Sequence, residues 1–233
     1  MKNLLVAQSG GPTSAINATL AGVIENALSS PSVDKIYGSI NGIQGVLNEN
    51  LVDLKTKIHN VSDLDLLCQT PASALGSCRV KLKDPAVCAD EYETIISVLR
   101  KHNIDCFIYI GGNDSMDTVD KLSKYLNDKG ISDITVVGAP KTIDNDLCGT
   151  DHCPGFGSAA KYIGTTFAEL ERDCHVYSTK AVTIVEVMGR DAGWLTAASA
   201  LARNEYNTAP QFIYLPEVDF DKDKFVADIK EAL

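Results

Sequence analysis

Three short apolar runs constrain this chain more than any other feature. "LLVA" leads into Gln-Ser-Gly-Gly, "CFIYI" into Gly-Gly, and "ITVV" into Gly-Ala-Pro. Each is too short for a helix, is apolar at successive positions and ends in a glycine turn. A strand that is apolar on both sides must be covered on both sides, which is the signature of a parallel sheet. The segments between them carry the helical period instead. "TSAINATLAGVIENALSS" is one predicted helix. "ADEYETIISVLRKHN" is another, with Tyr92, Ile95, Ile96 and Leu99 on one face, and "DSMDTVDKLSKYLNDKG" is a third, stopped by Gly130. "KIYGSI" adds a strand. Strand–helix alternation of this kind predicts an α/β fold of three layers, a mostly parallel sheet with helices on both faces.

The pattern continues to the end. "GSAAKYIGTTFAELERDC" reads as a helix capped by Ser158, "AVTIVEVMG" as a strand, "DAGWLTAASALARN" as a helix, "QFIYL" as a strand and "DKDKFVADIKEAL" as a helix. The turn-rich "NDLCGTDHCPGFGS" between them places a domain boundary near 145–158. The expected domains are therefore 1–150 and 151–233, each Rossmann-like. No internal repeat interrupts this order.

Composition excludes several functions. A formal net charge of −10 argues against a nucleic-acid binder, whose footprint is a basic face. No apolar run approaches the ~18 residues of a membrane span. Seven scattered cysteines fit reduced thiols in a cytoplasmic protein. Cys148 and Cys153 flank His152, but no second pair is available to complete a zinc site.

In open parallel sheets, ligands bind beyond the carboxyl ends of the strands. The loops at those ends are the candidates. Gly10 and Gly11 in "SGGPTS" leave backbone N–H groups uncovered at a helix start, which suits an anion. Gly112, Asn113, Asp114 and Ser115 in "GGNDS" repeat that form, and Asp114 or Ser115 could simply cap the helix. "PKTIDND" is the richest loop. Lys141 can neutralise phosphate oxygens, although no glycine directly precedes it as in a Walker loop. Asp144 and Asp146 lie two apart, so an extended segment would put both carboxylates on one side. One could then bind Mg²⁺ while the other acts as a base. Arg190 in "MGR" and Arg79 in "LGSCR" could clamp a phosphate or carboxylate. Taken singly, each loop also admits a bland reading as a turn or a solvated charge.

Together, "SGGPTSAIN", "LGSCR", "GGNDSMDT", "PKTIDNDL", "GTDHCPGFGSA" and "TIVEVMGRDAGWL" resemble the phosphofructokinase family in order and spacing, and its pyrophosphate-using branch in particular. Two positions carry the finer resemblance. ATP-using members typically have glycine where this chain has Lys141 and where it has Asp114. The resemblance implies Mg²⁺-dependent, reversible phosphoryl transfer from pyrophosphate to the C1 hydroxyl of fructose 6-phosphate in glycolysis. It implies Asp144 as general base, Thr142 as a contact to the moving phosphoryl, and Lys141 as a charge donor. Gly10, Gly11, Arg79, Gly112, Asn113, Asp114 and Ser115 fall on the donor side. Met188, Gly189, Arg190 and Lys180 fall on the sugar-phosphate side, and Asn113, Asp114 and Asp146 near the metal. A homo-oligomer, dimer or tetramer, is implied too.

Three departures stand out. Asn113 replaces the aspartate that many relatives direct to Mg²⁺. Ala181 stands where many place an arginine lent to a neighbouring subunit, leaving Lys180 as the nearby cation. Relatives also continue past the position of Leu233, so the expectation is a truncated chain with an incomplete second domain. ATP as donor, or a non-catalytic chain that binds sugar phosphate, remain the alternatives.

Overall fold

The computed structural model describes residues 2–233. The chain forms two compact units, Met1–Thr142 and Ile143–Leu233, so the division falls ahead of the expected stretch at 145–158.

The first unit is built on a five-stranded sheet in the order β3-β2-β1-β4-β5. β1 (Lys2–Gln8) is central and pairs in parallel with β2 (Val33–Ser39) and β4 (Ile104–Gly111). β5 (Thr135–Pro140) extends the parallel sheet beyond β4, whereas β3 (Leu51–Asp53) closes the other edge antiparallel to β2. Side chains alternate across β1 and feed two cores. Leu5 and Ala7 join Phe107, Tyr109 and the helices α2 (Gly42–Leu47), α4 (Ala89–Lys101) and α5 (Asn113–Asp128) on one face. Leu4 and Val6 join α1 (Ser14–Ser29) and α3 (Val61–Gln69) on the other. The three predicted layers are therefore present, and the apolar strand runs reflect burial on both sides.

Local chemistry explains the helices. Ile16, Leu20, Ala21, Ile24 and Ala27 form the buried stripe of α1, and each large side chain so buried contributes about 1.5–3 kcal/mol. α4 carries Asp90 and Glu91 in its first turn and Arg100 and Lys101 in its last, matching the helix dipole. α3, not foreseen, has a complete capping box between Asn60 and Asp63.

The second unit contains α6 (Phe156–Cys174), α7 (Trp194–Ala198) with a 3-10 turn at Ser199–Ala202, and α8 (Lys222–Ala232). Gly164 lets α6 approach that turn: an added Cβ would lie 3.3 Å from Leu201 Cβ. Three expectations are corrected here. α6 starts from Gly155, at φ 107°, a left-handed conformation that glycine adopts without a Cβ penalty, and not from Ser158. The expected helix over 191–204 begins only at Trp194 and tightens into the 3-10 turn. The expected strands "AVTIVEVMG" and "QFIYL" are not strands. A strand is held by hydrogen bonds to a neighbour, and among the described residues no strand pairs with either segment. Their apolar side chains are correspondingly open, Ile184 being 75% exposed.

Candidate active site

The sheet order reverses direction at β1, which is flanked by β2 on one side and β4 on the other. Loops leaving such neighbouring strands separate and open a crevice at the carboxyl edge. Here that crevice is bounded by Ser9–Thr13 after β1 and Gly111–Asn113 after β4. Gly10 has φ 77°, which favours glycine, and a Cβ there would sit 3.1 Å from Lys141 Nζ and 3.8 Å from the Gly112 nitrogen. The two glycine turns and the lysine are thus in direct proximity.

Lys141 is 3% exposed. Its backbone N–H donates to the Gly111 carbonyl at 2.9 Å, continuing the β4–β5 ladder by one step. Its ammonium crosses to the first loop and donates to the Gly11 carbonyl at 2.5 Å. A cation is therefore buried among backbone groups from the loops after β1 and β4, where phosphate oxygens would find both charge and N–H donors. Thr142, also buried, follows it directly.

The "LGSCR" segment docks against the same loop. Gly10 N–H donates to the Cys78 carbonyl at 3.4 Å, Ser9 Oγ donates to it at 3.2 Å, and Ser77 Oγ donates to the Gly10 carbonyl at 2.5 Å. Arg79 emerges from this contact with an exposed side chain. Beneath it, Tyr109 hydroxyl receives the Ile43 N–H at 3.3 Å and lies 3.8 Å from Cys78 Sγ. Burial pushes this phenol well above its ordinary pKa, so it stays neutral.

At the start of α5 the expected caps are corrected. Gly112 is the N-cap, and neither Asp114 nor Ser115 makes a capping side-chain bond. Ser115 is buried against Gly111, where an added Cβ would meet its hydroxyl at 2.0 Å. Asp114 instead faces outward and pairs with Lys81 at 2.8 Å. Asn113 is exposed beside it.

In the second unit, Asp144 and Asp146 converge, but not along an extended segment. Asn145 between them is left-handed, at φ 57°. Its amide closes the loop, donating to the Asp151 carbonyl at 3.1 Å and accepting from Cys153 N–H at 2.7 Å. Both carboxylates end 3.6 Å from the Arg190 guanidinium. Their side chains are only 16% and 21% exposed, against 74% for Arg190. Gly189, at φ 145°, makes the sharp turn before Arg190: a Cβ there would lie 2.2 Å from the Ala192 carbonyl oxygen. Gly189 and Arg190 line a cleft of about 520 Å³ with Glu186, Thr196 and Tyr214. Met188 and Lys180 are exposed to solvent. His152, flanked by the two cysteines, packs edge-on against Phe156.

The donor chemistry fits Mg²⁺, which prefers hard oxygen ligands and typically one or two carboxylates completed by phosphate oxygens and water. Two mostly buried carboxylates, Asp144 and Asp146, supply such oxygens.

The sequence matches the Phosphofructokinase family over residues 3–233. The chain belongs to the phosphofructokinase family. It is 47% identical over 234 residues to the pyrophosphate–fructose 6-phosphate 1-phosphotransferase of Xanthomonas campestris pv. campestris, covering 99% of this chain. The chain spans 54% of that relative's length. The fold superposes on the pyrophosphate-dependent phosphofructokinase of Marinobacter aquaeolei with a TM-score of 0.87 at 43% identity, covering 99% of this chain and 57% of the other. An ATP-dependent 6-phosphofructokinase of Histophilus somni is 31% identical over 238 residues, which are all of this chain and 65% of that one.

The glycine loops after β1 and β4 and both carboxylates are residues the sequence singles out. Asn145, which aims the carboxylates, and Ser77 and Cys78, which dock the Arg79 loop, are not. Asn145 had a signal, since asparagine is the residue besides glycine that most readily turns left-handed. Among the described residues no helix is long and apolar enough to cross a membrane.

Proposed function

We propose that the protein transfers a phosphoryl group from pyrophosphate to the C1 hydroxyl of fructose 6-phosphate, giving fructose 1,6-bisphosphate in glycolysis. One observation carries the choice of donor: the buried Lys141 ammonium, bonded to the Gly11 carbonyl at 2.5 Å. It supplies fixed positive charge to a short donor that brings no nucleotide contacts of its own. The names of the relatives at over 40% identity point the same way.

The first unit is the donor domain in this reading. Backbone N–H groups of Gly11 and Gly112, with the side chains of Asn113, Ser115 and Arg79, receive the pyrophosphate oxygens, and Gly10 shapes the turn that presents them. Lys141 offsets the charge that spreads over the transferred group, and Thr142 hydroxyl touches it. Asp114 stands where ATP-using members typically have glycine, and its added carboxylate disfavours a nucleotide. The second unit binds the sugar phosphate, with Gly189 and Arg190 in the cleft and the exposed Met188 and Lys180 as further contacts. Asp144 takes the proton from the C1 hydroxyl as its oxygen attacks phosphorus; the new P–O bond forms as the bridging P–O bond breaks, and orthophosphate leaves. Positioning and charge do most of the work, as in phosphoryl transfer generally. Asp146 would offer a carboxylate oxygen to Mg²⁺, which when bound neutralises phosphate charge. A cytoplasmic homo-oligomer completes the proposal.

The test is donor choice. With the full-length protein, phosphorylation of fructose 6-phosphate is expected to be far faster with pyrophosphate than with ATP at equal Mg²⁺. Equal or better use of ATP would overturn the donor, and binding of the sugar without turnover from either would overturn the enzyme.

A further inference from the structure

Two carboxamides that no proposed contact uses lie fully buried beneath the donor loop. Gln8 is 0% exposed at the end of β1, and Asn17 is 1% exposed on the inner face of α1. Polar side chains at such positions cost stability unless every group is paired, and here every group is. Gln8 Nε2 donates to the Ile16 carbonyl at 3.1 Å and to Asn17 Oδ1 at 2.9 Å. Gln8 Oε1 accepts from Ser73 Oγ at 2.9 Å and from Leu75 N–H at 2.8 Å. Asn17 Oδ1 also accepts from Ala74 N–H at 2.9 Å, while its Nδ2 donates to the Thr70 carbonyl at 2.8 Å.

All the partners outside β1 and α1 belong to one irregular stretch, 70–75, immediately before Arg79. That stretch has no sheet or helix to hold it. The single Ser73 hydroxyl proton is shared between Gln8 Oε1 and the Gly76 carbonyl, which lies 2.7 Å from Oγ, and Asn41 grips the far side through Leu75 and Ser77 carbonyls at 2.8 and 3.1 Å. The two amides stand at the two ends of the Ser9–Thr13 turn, one before it and one just after the start of α1. They therefore fasten the stretch that leads to Arg79 to the two residues that flank the glycine turn.

We infer that Gln8 and Asn17 are positioning residues for the phosphoryl donor: they lock 70–76 to the turn after β1 and so fix where Arg79 stands relative to Gly10 and Gly11. This rests on the proposed donor role of Arg79 and the glycine turn. A packing role alone would be served as well by leucine or methionine, with no dependence of Arg79 on either amide.

The experiment is a double-mutant cycle in the full-length protein between Gln8→Met and Arg79→Ala, read as the Kd of magnesium pyrophosphate by calorimetry and as KM. Arg79→Ala alone is expected to weaken the donor by about 10- to 100-fold, the usual range for losing a charged hydrogen bond. In the Gln8→Met background the same change is expected to cost about threefold or less, because the guanidinium has already lost its place. KM for fructose 6-phosphate is expected to hold. Should Gln8→Met fold poorly, Ser73→Ala removes one strut only and serves in its stead. Hydrogen exchange at the Ala74 and Leu75 amides is expected to quicken in either variant while the β1 and β4 amides stay protected. An additive cycle, with Arg79→Ala costing the same in both backgrounds, would overturn the inference even if the melting temperature fell. A wild-type protein that binds ATP and not pyrophosphate would instead overturn the donor, and the same cycle run with ATP would still decide the role of Gln8.

Discussion

Replacing Gly10 by alanine strikes the structure where two constraints coincide. The backbone there has φ 77°, and the new Cβ would sit 3.1 Å from Lys141 Nζ. Left-handed backbone costs an L-residue about 1–2 kcal/mol. The lysine must also move a few tenths of an ångström, straining its bond to the Gly11 carbonyl at 2.5 Å; a hydrogen bond to a charged group is worth about 1.5–3 kcal/mol in all, of which a small shift forfeits part. The expected sum is a loss of about 2–3 kcal/mol, measured by urea unfolding, together with a raised KM for the donor. Gly11→Ala is the internal control. Its added Cβ meets nothing within 4 Å and its backbone is not left-handed, so its stability should change by less than about 1 kcal/mol. Equal destabilisation by the two substitutions would refute the proposed contact between Gly10 and Lys141.

Further expectations concern charge. Lys141→Met is expected to lower kcat by about 10²–10³, as other donors to transition-state charge do, and retained kcat would remove Lys141 from the chemistry. Glu49 is held below the ordinary glutamate value of 4.5, chiefly by hydrogen bonds from Lys101 and His102. A depressed carboxylate stabilises the fold above its unfolded pKa and loses that contribution as pH falls through the lower folded value. Thermal melts of Glu49→Gln and wild type should therefore differ most above about pH 5 and converge in stronger acid; a gap that widens in acid would contradict the pairing.

The fold of the first unit was legible because burial on both faces writes itself into apolar runs. β1, β4 and β5 follow from that alone, and α4 and α5 from their periodicity. β3, at three residues, is too short to carry a period of its own. α3 was readable through Asn60 and Asp63, a capping pair that precedes its apolar residues. In the second unit, Val182–Val187 have strand-forming chemistry, yet chemistry of that kind needs a paired neighbour to become a strand. At the site, residue types were legible and geometry was not. Lys141 reaches a carbonyl 130 residues away, and no local pattern records such a contact. Asp144 and Asp146 meet through the left-handed turn at Asn145, where alternation had suggested an extended segment.

The role of Asp144 is the centre of the proposed chemistry, and Asp144→Asn tests it most directly. The substitution keeps the shape and removes the base. In the full-length protein, kcat is expected to fall by about 10²–10⁴, the usual worth of general base catalysis. KM for fructose 6-phosphate should change little, because the lost interaction belongs to the transition state, and the thermal melt should show an intact fold. A folded Asp144→Asn protein with kcat within about threefold of wild type, far short of the general-base range, would contradict the assignment.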